Sequence, residues 1–541
     1  MRGAKGAKWA AVAIVVAMGA TACGGGGHTG NGSADGKNNG VVSVEIGEPQ
    51  NTLVPTNTYE TEGGQVIHAL FTGLTKIDAS NKIVNDEAQS IDTKDNKVWT
   101  IKLKQGFTFH NGEPVTAQSY VDAWNYGADQ TNAQQTNPLF SHIQGFSDLN
   151  PGPKKTVKTH TLSGLKAVDK DTLQVTLTAP FSAFPTQLSF SGFSPLPKAF
   201  FKDPKGFGKK PIGNGPYQAK TSFVDNEGIE LTKYDKYPDA SRYPVKGINF
   251  KVYSDQNTAY KDLVAGNLDV LPVVPTSGLA TYKKDLPGHT IDRPEGAVGY
   301  IGFPLKYNKA FKNPKIREAI SMSIDRDAIA KKVFLGARVA ADDYVPPLID
   351  GYRKGACGDA CTYDPTKAKQ LFKEAGGLPG NTLEIGYNAD GDHKTWVEAV
   401  ANQIQKSLGV KVKAKPFEQF QAILNDLDDK KYQGAFRMGW QMDYPNMENF
   451  LRPIFSKDAI ENGSNYSGYV NPEFEKLLGQ ADQAPTAADA IKKYQEADDV
   501  LLKELPYIPV YFYRLNSGFS NKISSINVIA HQIDWTSVKL G

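Results

Sequence analysis

The chain has 541 residues, with 61 Lys and Arg against 58 Asp and Glu. A formal charge of +3 over that length offers no basic stripe for nucleic acid, and so long a chain divides into two or three domains. Three cysteines, and eight histidines with no two close in sequence, give no spacing of metal ligands.

The first predicted element is a leader. Arg2, Lys5 and Lys8 precede an apolar run from Trp9 to Ala20, too short to span a bilayer comfortably, which marks 1–22 as a secretory signal. It ends Ala20, Thr21, Ala22, Cys23, which resembles a bacterial lipobox with Ala20 in place of the usual leucine. Cys23 is therefore the expected acylation site. Residues 23–40 hold almost nothing but Gly, Asn and Ser to bury and read as a flexible tether. Together these segments predict an exported protein, lipid-anchored to the outer face of the cell membrane and touching it through that N-terminal lipid only. Loss of the leader removes three cations and leaves 58 residues of each sign.

In VWTIKLK, 98–104, apolar Trp99, Ile101 and Leu103 alternate with polar neighbours, the pattern of a strand with one wet face, and 171–180 alternates likewise. Polar, turn-rich stretches separate them, so 67–180 reads as an α+β unit with antiparallel strands. Phe107, Phe109 and Trp124 are expected in its core. GNG at 213–215 lies between Pro211 and Pro216 and reads as a turn, with no lysine–serine pair to make a phosphate cradle. Cys357 and Cys361, in a Gly- and Asp-rich stretch, are the two cysteines left once Cys23 is acylated, and in an exported protein they are expected to pair as a disulfide.

Farther on the period changes. Over 363–376, Asp364 caps, Pro365 opens and Gly376 closes a helix. A strand at 383–388, a helix over 392–409 with Trp396, Val400, Ile404 and Leu408 on one face, and a strand at 410–415 make a βαβ unit and predict a parallel sheet. Then GWQMDYPNMENFL, 439–451, sets Asp443 among aromatics. Such an acid could be a general acid, a metal ligand, a helix cap or a grip for positive charge. Paired with Glu448 it could serve a hydrolase, which would need one of the two pKa values raised. No nucleophile elbow, HExxH helix, P-loop or Rossmann fingerprint occurs, and no residue is assigned as catalytic.

QGFTFHNGEPVTAQSYVDAW, 105–124, resembles the signature region of extracellular solute-binding proteins of the peptide/nickel family, the receptors of ABC importers, which include oligopeptide- and dipeptide-binding lipoproteins. ALFTGLTKID, PIGNGPY, YKDLVAGNLDVL, NPKIREAISMSIDRDAI, YDPTKAKQLFKEAG, GWQMDYPNMENFL, NYSGYVNPEFEKLLGQA and LPYIPVYFY extend the resemblance, in order, along nearly the whole chain. It implies an α/β, two-lobed periplasmic-binding-protein-like fold in its three-domain variant, with an α+β insertion and two crossing segments. The first lobe would be 41–66, 181–272 and 509–541, the inserted domain 67–180, and the second lobe 273–508. The crossings would lie near 269–275 and 506–512.

The function implied is a non-enzymatic receptor that closes on a peptide and delivers it to an ABC permease. It would act as a monomer without cofactor or metal. A nickel chelate, haem or a sugar is the alternative ligand. Asp443 matches an aspartate that pairs with the peptide's ammonium in oligopeptide-binding members, with Trp440 and Tyr444 completing the pattern. Arg437 matches an arginine for the ligand's carboxylate. Tyr511 and Tyr513 alternate onto one strand face, and Tyr511 is taken as a cleft residue. Glu60 falls near the first-lobe ligand wall.

Overall fold

Two strands of 13 residues each lie side by side at the centre of the molecule and tie its halves together. The computed structural model describes residues 40–152 and 155–541; the leader, Cys23 and the tether up to residue 39 lie outside the described residues. The sheet around the central pair has eleven strands: β1 (Val41–Ile46), β2 (Tyr217–Ala219), β3 (Gly228–Lys233), β4 (Gly247–Val252), β5 (Val270–Leu271), β6 (Thr290–Gly302), β7 (Arg338–Ala340), β8 (Thr382–Asn388), β9 (Lys411–Phe417), β10 (Ala435–Gln441) and β11 (Tyr507–Phe519). Their order is β9-β8-β10-β6-β11-β5-β1-β4-β3-β2, with β7 also on β11. The architecture is thus α/β and two-lobed. β1 to β5 form one half of the sheet, β8 to β10 the other, and β6 and β11 run between them.

The second half is layered as its sequence requires. β8 pairs in parallel with β9 and with β10. The helix expected over 392–409 spans Lys394–Leu408, buries Trp396, Val400, Ile404 and Leu408, and stops at Gly409, whose φ of 73° is left-handed. The helix expected over 363–376 spans Pro365–Glu374, with the Asp364 carboxylate accepting from the backbone N–H of Thr366 and Lys367. Phe436, Met438 and Trp440 enter one apolar cluster, while Ala435 and Ile385 enter another on the opposite face. Burial on both faces is what a parallel sheet covered by helices demands. The Cys357–Cys361 disulfide closes its short loop with Cα atoms 5.5 Å apart.

A separate four-stranded antiparallel sheet joins Ala88–Thr93, Val98–Leu103, Thr172–Thr176 and Leu165–Asp169. Trp99, Ile101 and Leu103 are buried from it, as are Phe107, Phe109 and Trp124 nearby. The strand expected over 171–180 ends at Thr176. Beyond it Thr178 turns its N–H to the carbonyl of His142, and Pro180 has no N–H to give. Gly213 and Gly215 pack against the backbone of Leu70, where a Cβ would collide with the Leu70 carbonyl. That close approach accounts for the glycines of this turn. Among the described residues no helix is long and apolar enough to cross a membrane.

Candidate functional site

A cavity of about 550 Å³ lies where the two halves face each other over the central strands. Its walls come from the start of the helix Thr61–Leu70 and the residues before it, from the segment 388–393, from β10 and the turn after it, and from β6 and β11. Hydrogen bonds join the halves across its rim. Gln50 Nε2 donates to Asp428 at 2.9 Å, Gln421 Nε2 donates to the Gln50 carbonyl at 3.0 Å, and Thr276 N donates to Asp392. The pairing of β6 with β11 slips between Pro294 and Val298 and again between Gly299 and Tyr300. Such bulges re-aim side chains, and here they fall beneath the cavity, lined at this level by Glu295, Ala297 and Tyr300.

Asp443 follows β10 and lines this cavity half-buried. One carboxylate oxygen accepts from Asn449 Nδ2 at 2.7 Å and from the Tyr59 hydroxyl at 3.3 Å. Tyr59 belongs to the opposite half, so the acid is already touched from both sides of the cleft. No lysine, arginine or histidine among the described residues pairs with it. Burial therefore pushes its pKa up to about 7, with Glu448 adding to the rise and the hydrogen bonds opposing it.

Asn449 is the brace of this corner. Its Oδ1 accepts from the Asp443 N–H at 2.8 Å and from Trp440 Nε1 at 3.3 Å, while its Nδ2 holds the carboxylate. Trp440 in turn meets the Tyr59 ring edge-on, with centroids 5.6 Å apart. Trp440 thus lines the cavity as an apolar wall. Tyr444, expected beside it, does not. It is fully buried, lies outside the cavity lining, and donates its hydroxyl to Glu448. The chain turns after Asp443, and the turn carries Tyr444 behind the wall.

Glu448 is also behind the wall, where Arg452 Nε donates to it at 2.6 Å and reaches Asp482 as well. Burial raises the Glu448 pKa, but His142, Arg452 and Tyr444 outweigh it and hold the carboxyl at about 2. With both oxygens engaged and no exposure, Glu448 cannot act with Asp443 on a substrate.

Elsewhere in the cavity stand two guanidinium groups. Arg437 on β10 is buried and lines the cavity. Its guanidinium donates to Asn388 Oδ1 at 2.9 Å and to the Tyr513 hydroxyl at 3.1 Å, and its Nε has no partner among the described residues. Arg338 on β7 stands over the Tyr513 ring at 4.6 Å and bonds Asn516 and main-chain carbonyls. Burial raises the Tyr513 pKa, yet the two guanidinium groups outweigh it and leave the phenol below its ordinary value. Tyr511 lines the same region, its hydroxyl 3.3 Å from that of Tyr513. Gly299 and Gly439 oppose one another across β6 and β10 beneath these rings. A Cβ at Gly299 would lie 2.4 Å from the Tyr511 ring.

Glu60 lines the cavity but works as the N-cap of Thr61–Leu70. It accepts from the N–H of Gly63 at 3.1 Å, and from those of Gln50 and Tyr59. Those bonds are local, so the capping reading open to any acid before a helix describes Glu60 and not Asp443. Sequence reasoning passed over Tyr59, Asn449 and Arg338. Asn449 carries a short-range signal, an amide six residues beyond Asp443, while Tyr59 and Arg338 arrive from distant parts of the chain. Among the described residues no three His, Cys, Asp or Glu converge to hold a metal ion.

The chain matches the family model for bacterial extracellular solute-binding proteins, family 5 middle, over residues 82–462. It is 30% identical over 528 residues to the oligopeptide-binding protein OppA of Bacillus subtilis (strain 168), covering 94% of each chain. Its fold is similar to that of the Escherichia coli murein tripeptide binding protein MppA, with TM-score 0.84, 24% identity, and 92% of this chain and 98% of the other covered. The unliganded open form of MppA superposes less well, with TM-score 0.62, 25% identity, and 92% and 96% covered. The chain belongs to the family 5 extracellular solute-binding proteins, the non-enzymatic receptors of ABC importers.

Proposed function

We propose that the protein is a lipid-anchored receptor that closes on a peptide and delivers it to an ABC permease. One observation carries the ligand assignment: a half-buried carboxyl, Asp443, faces the cavity without a cation among the described residues to balance it. A buried ionised carboxylate costs several kcal/mol unless paired, and an ammonium from the ligand would supply the pair. Elsewhere in the cavity Arg437 presents a planar fork of donors with no carboxylate on it, complementary to a ligand's C-terminus. A molecule with an ammonium at one end and a carboxylate at the other meets both demands. B. subtilis OppA, similar over nearly its whole length, is an oligopeptide-binding protein by name.

In this reading Trp440 and Tyr511 form the apolar walls, and Glu60 acts through the helix it caps. The first lobe takes 41–66, 181–272 and 509–541, the inserted domain 67–180 and the second lobe 273–508. Opening is a hinge motion of β6 and β11 that breaks the bonds of Gln50 to Asp428 and Gln421 across the rim. Cys23 carries the lipid, the receptor acts as a monomer outside the cell membrane, and the permease meets the closed form.

The test is native mass spectrometry of the purified chain, followed by sequencing of whatever it releases. A ladder of co-purified peptides of similar length is the expected result. A single non-peptide mass, or a protein that no peptide library stabilises, contradicts the assignment.

A further inference from the structure

Away from Asp443, the cavity gathers acids from four elements of the chain. Glu45 is the penultimate residue of β1, on the face opposite Val42 and Val44. Glu62 stands in the first turn of Thr61–Leu70, and Glu295 rises from the irregular stretch of β6. Asp390 comes from the other half, in the segment after β8. Burial raises the pKa of Glu45, Glu62 and Asp390; the charges of Glu62 and Asp390 add to the rise at Glu45, and those of Glu60 and Asp390 to the rise at Glu62, while hydrogen bonds and Arg437 oppose it at Asp390. Burial and this crowding put Glu45 at about 8 and Glu62 at about 7.

The cations facing the group are few. His531 donates toward Glu295 at 2.9 Å, and although burial lowers its pKa, Glu295, Glu62 and Glu45 outweigh that and favour the imidazolium. Arg437 also feels Glu62 and Asp390, but its N–H groups go to Asn388 and Tyr513. Four carboxyl groups thus meet two cations, and Glu45, 5% exposed, receives no donor from any described residue.

A second observation, independent of charge, points the same way. Gln65 follows Glu62 by three residues on the same helix face, lines the same cavity, is 7% exposed, and its Oε1 has no donor. Gln532 Oε1, next to His531 in the chain, is likewise buried without a donor. The site therefore holds acceptors that no described residue satisfies, and what satisfies such groups is a donor with several N–H bonds. A bare metal ion does not suit them, because no three His, Cys, Asp or Glu among the described residues converge to hold one. His531 itself is delivered at a cost. It and Ala530 form the two-residue turn between Ile523–Ile529 and Gln532–Leu540, with φ of 64° and 46° where glycine or asparagine is usual.

Resting on the peptide-receptor reading above, we infer that Glu45, Glu62 and Gln65, faced by Asp390 across the cleft and walled by the Glu295–His531 pair, form a subsite for a basic side chain of the ligand. It makes the receptor selective for cationic peptides. It also ties selectivity to closure, since Asp390 approaches Glu45 and Glu62 only when the halves meet, and like charges brought together oppose the empty closed state.

The experiment is calorimetry on the full mature chain with tri- to penta-alanine peptides. Each position in turn carries lysine or its uncharged isostere norleucine. At one position lysine should bind at least tenfold more tightly at pH 8, and in the Glu45→Gln/Glu62→Gln variant that ratio should fall to within twofold. Equal binding of lysine and norleucine at every position, with the alanine peptides still bound, overturns the subsite and leaves the peptide receptor standing. A lysine preference that survives in the double variant places the cation elsewhere and also overturns it. Failure of every peptide to bind removes the receptor reading and the subsite with it. If the double variant does not fold, the single Glu62→Gln variant takes its place: it should cut the lysine-to-norleucine ratio at least threefold, and an unchanged ratio overturns the subsite.

Discussion

The two acids five residues apart in one turn, Asp443 and Glu448, have opposite surroundings. Glu448 lies behind the cavity wall with Arg452, His142 and the Tyr444 hydroxyl about it, and its carboxyl is held at about 2. Asp443 lies in the wall with only an amide and a phenol for company, and its carboxyl rises to about 7. The chain can evidently bring cations to a buried acid here, and does so one turn away. On the proposed reading, the difference marks the cavity as the place where the ligand supplies the balancing charge. Arg437 repeats the lesson with the sign reversed.

The largest effect that would break this contrast is on the paired side. Arg452→Ala leaves Glu448 and Asp482 buried without their cation and should destabilise the protein by about 3–5 kcal/mol in chemical denaturation. A loss under about 1 kcal/mol would mean that the pairing behind the wall is not what distinguishes the two acids. Next comes the unpaired side. Asp443→Ala should weaken binding of a free-amine peptide by about 2–3 kcal/mol while scarcely changing that of the N-acetylated peptide, already weak.

Asp443→Asn sharpens the comparison because stability and binding should move in opposite directions. In the unliganded fold the carboxyl keeps its proton up to about pH 7, whereas in the unfolded chain it ionises near its ordinary value of 3.8. The folded state therefore holds the extra proton between those values, so stability falls as pH rises through that window and is level above it. Removing the acid should stabilise the empty protein at pH 8 by on the order of 1 kcal/mol or more, and by little at pH 3.5. Thermal melts at the two pH values read this directly. The smallest effect concerns closure. Gln50→Ala removes the bond to Asp428 across the rim and should weaken peptide binding by about 0.5–1.5 kcal/mol, visible as faster dissociation. Unchanged release would mean that this bond is not part of the closed state.

Local order was legible in the chain because its causes are local. Asp364, Pro365 and Gly409 bound helices through interactions spanning a few residues, and Trp396, Val400, Ile404 and Leu408 repeat at the helical period. Asp443 stood out through a likeness to relatives, since its position among aromatics fits several chemistries. Tyr444 was misplaced because a pattern of neighbouring letters does not say where the chain turns after β10. Tyr59 and Arg338 meet the site from 384 and 99 residues before Asp443 and Arg437, and nothing local marks them. Glu60 was selected for its position near a wall, yet three backbone N–H groups fix it as a cap.

The central claim is that the ligand's ammonium completes Asp443. Its most direct test is a thermodynamic cycle by calorimetry, crossing Asp443→Ala with N-acetylation of one well-bound peptide. The account predicts a coupling of at least about 2 kcal/mol, since each change alone removes the same charge pair. A coupling near zero, or equal binding of free and acetylated peptide by the unsubstituted protein, would contradict it.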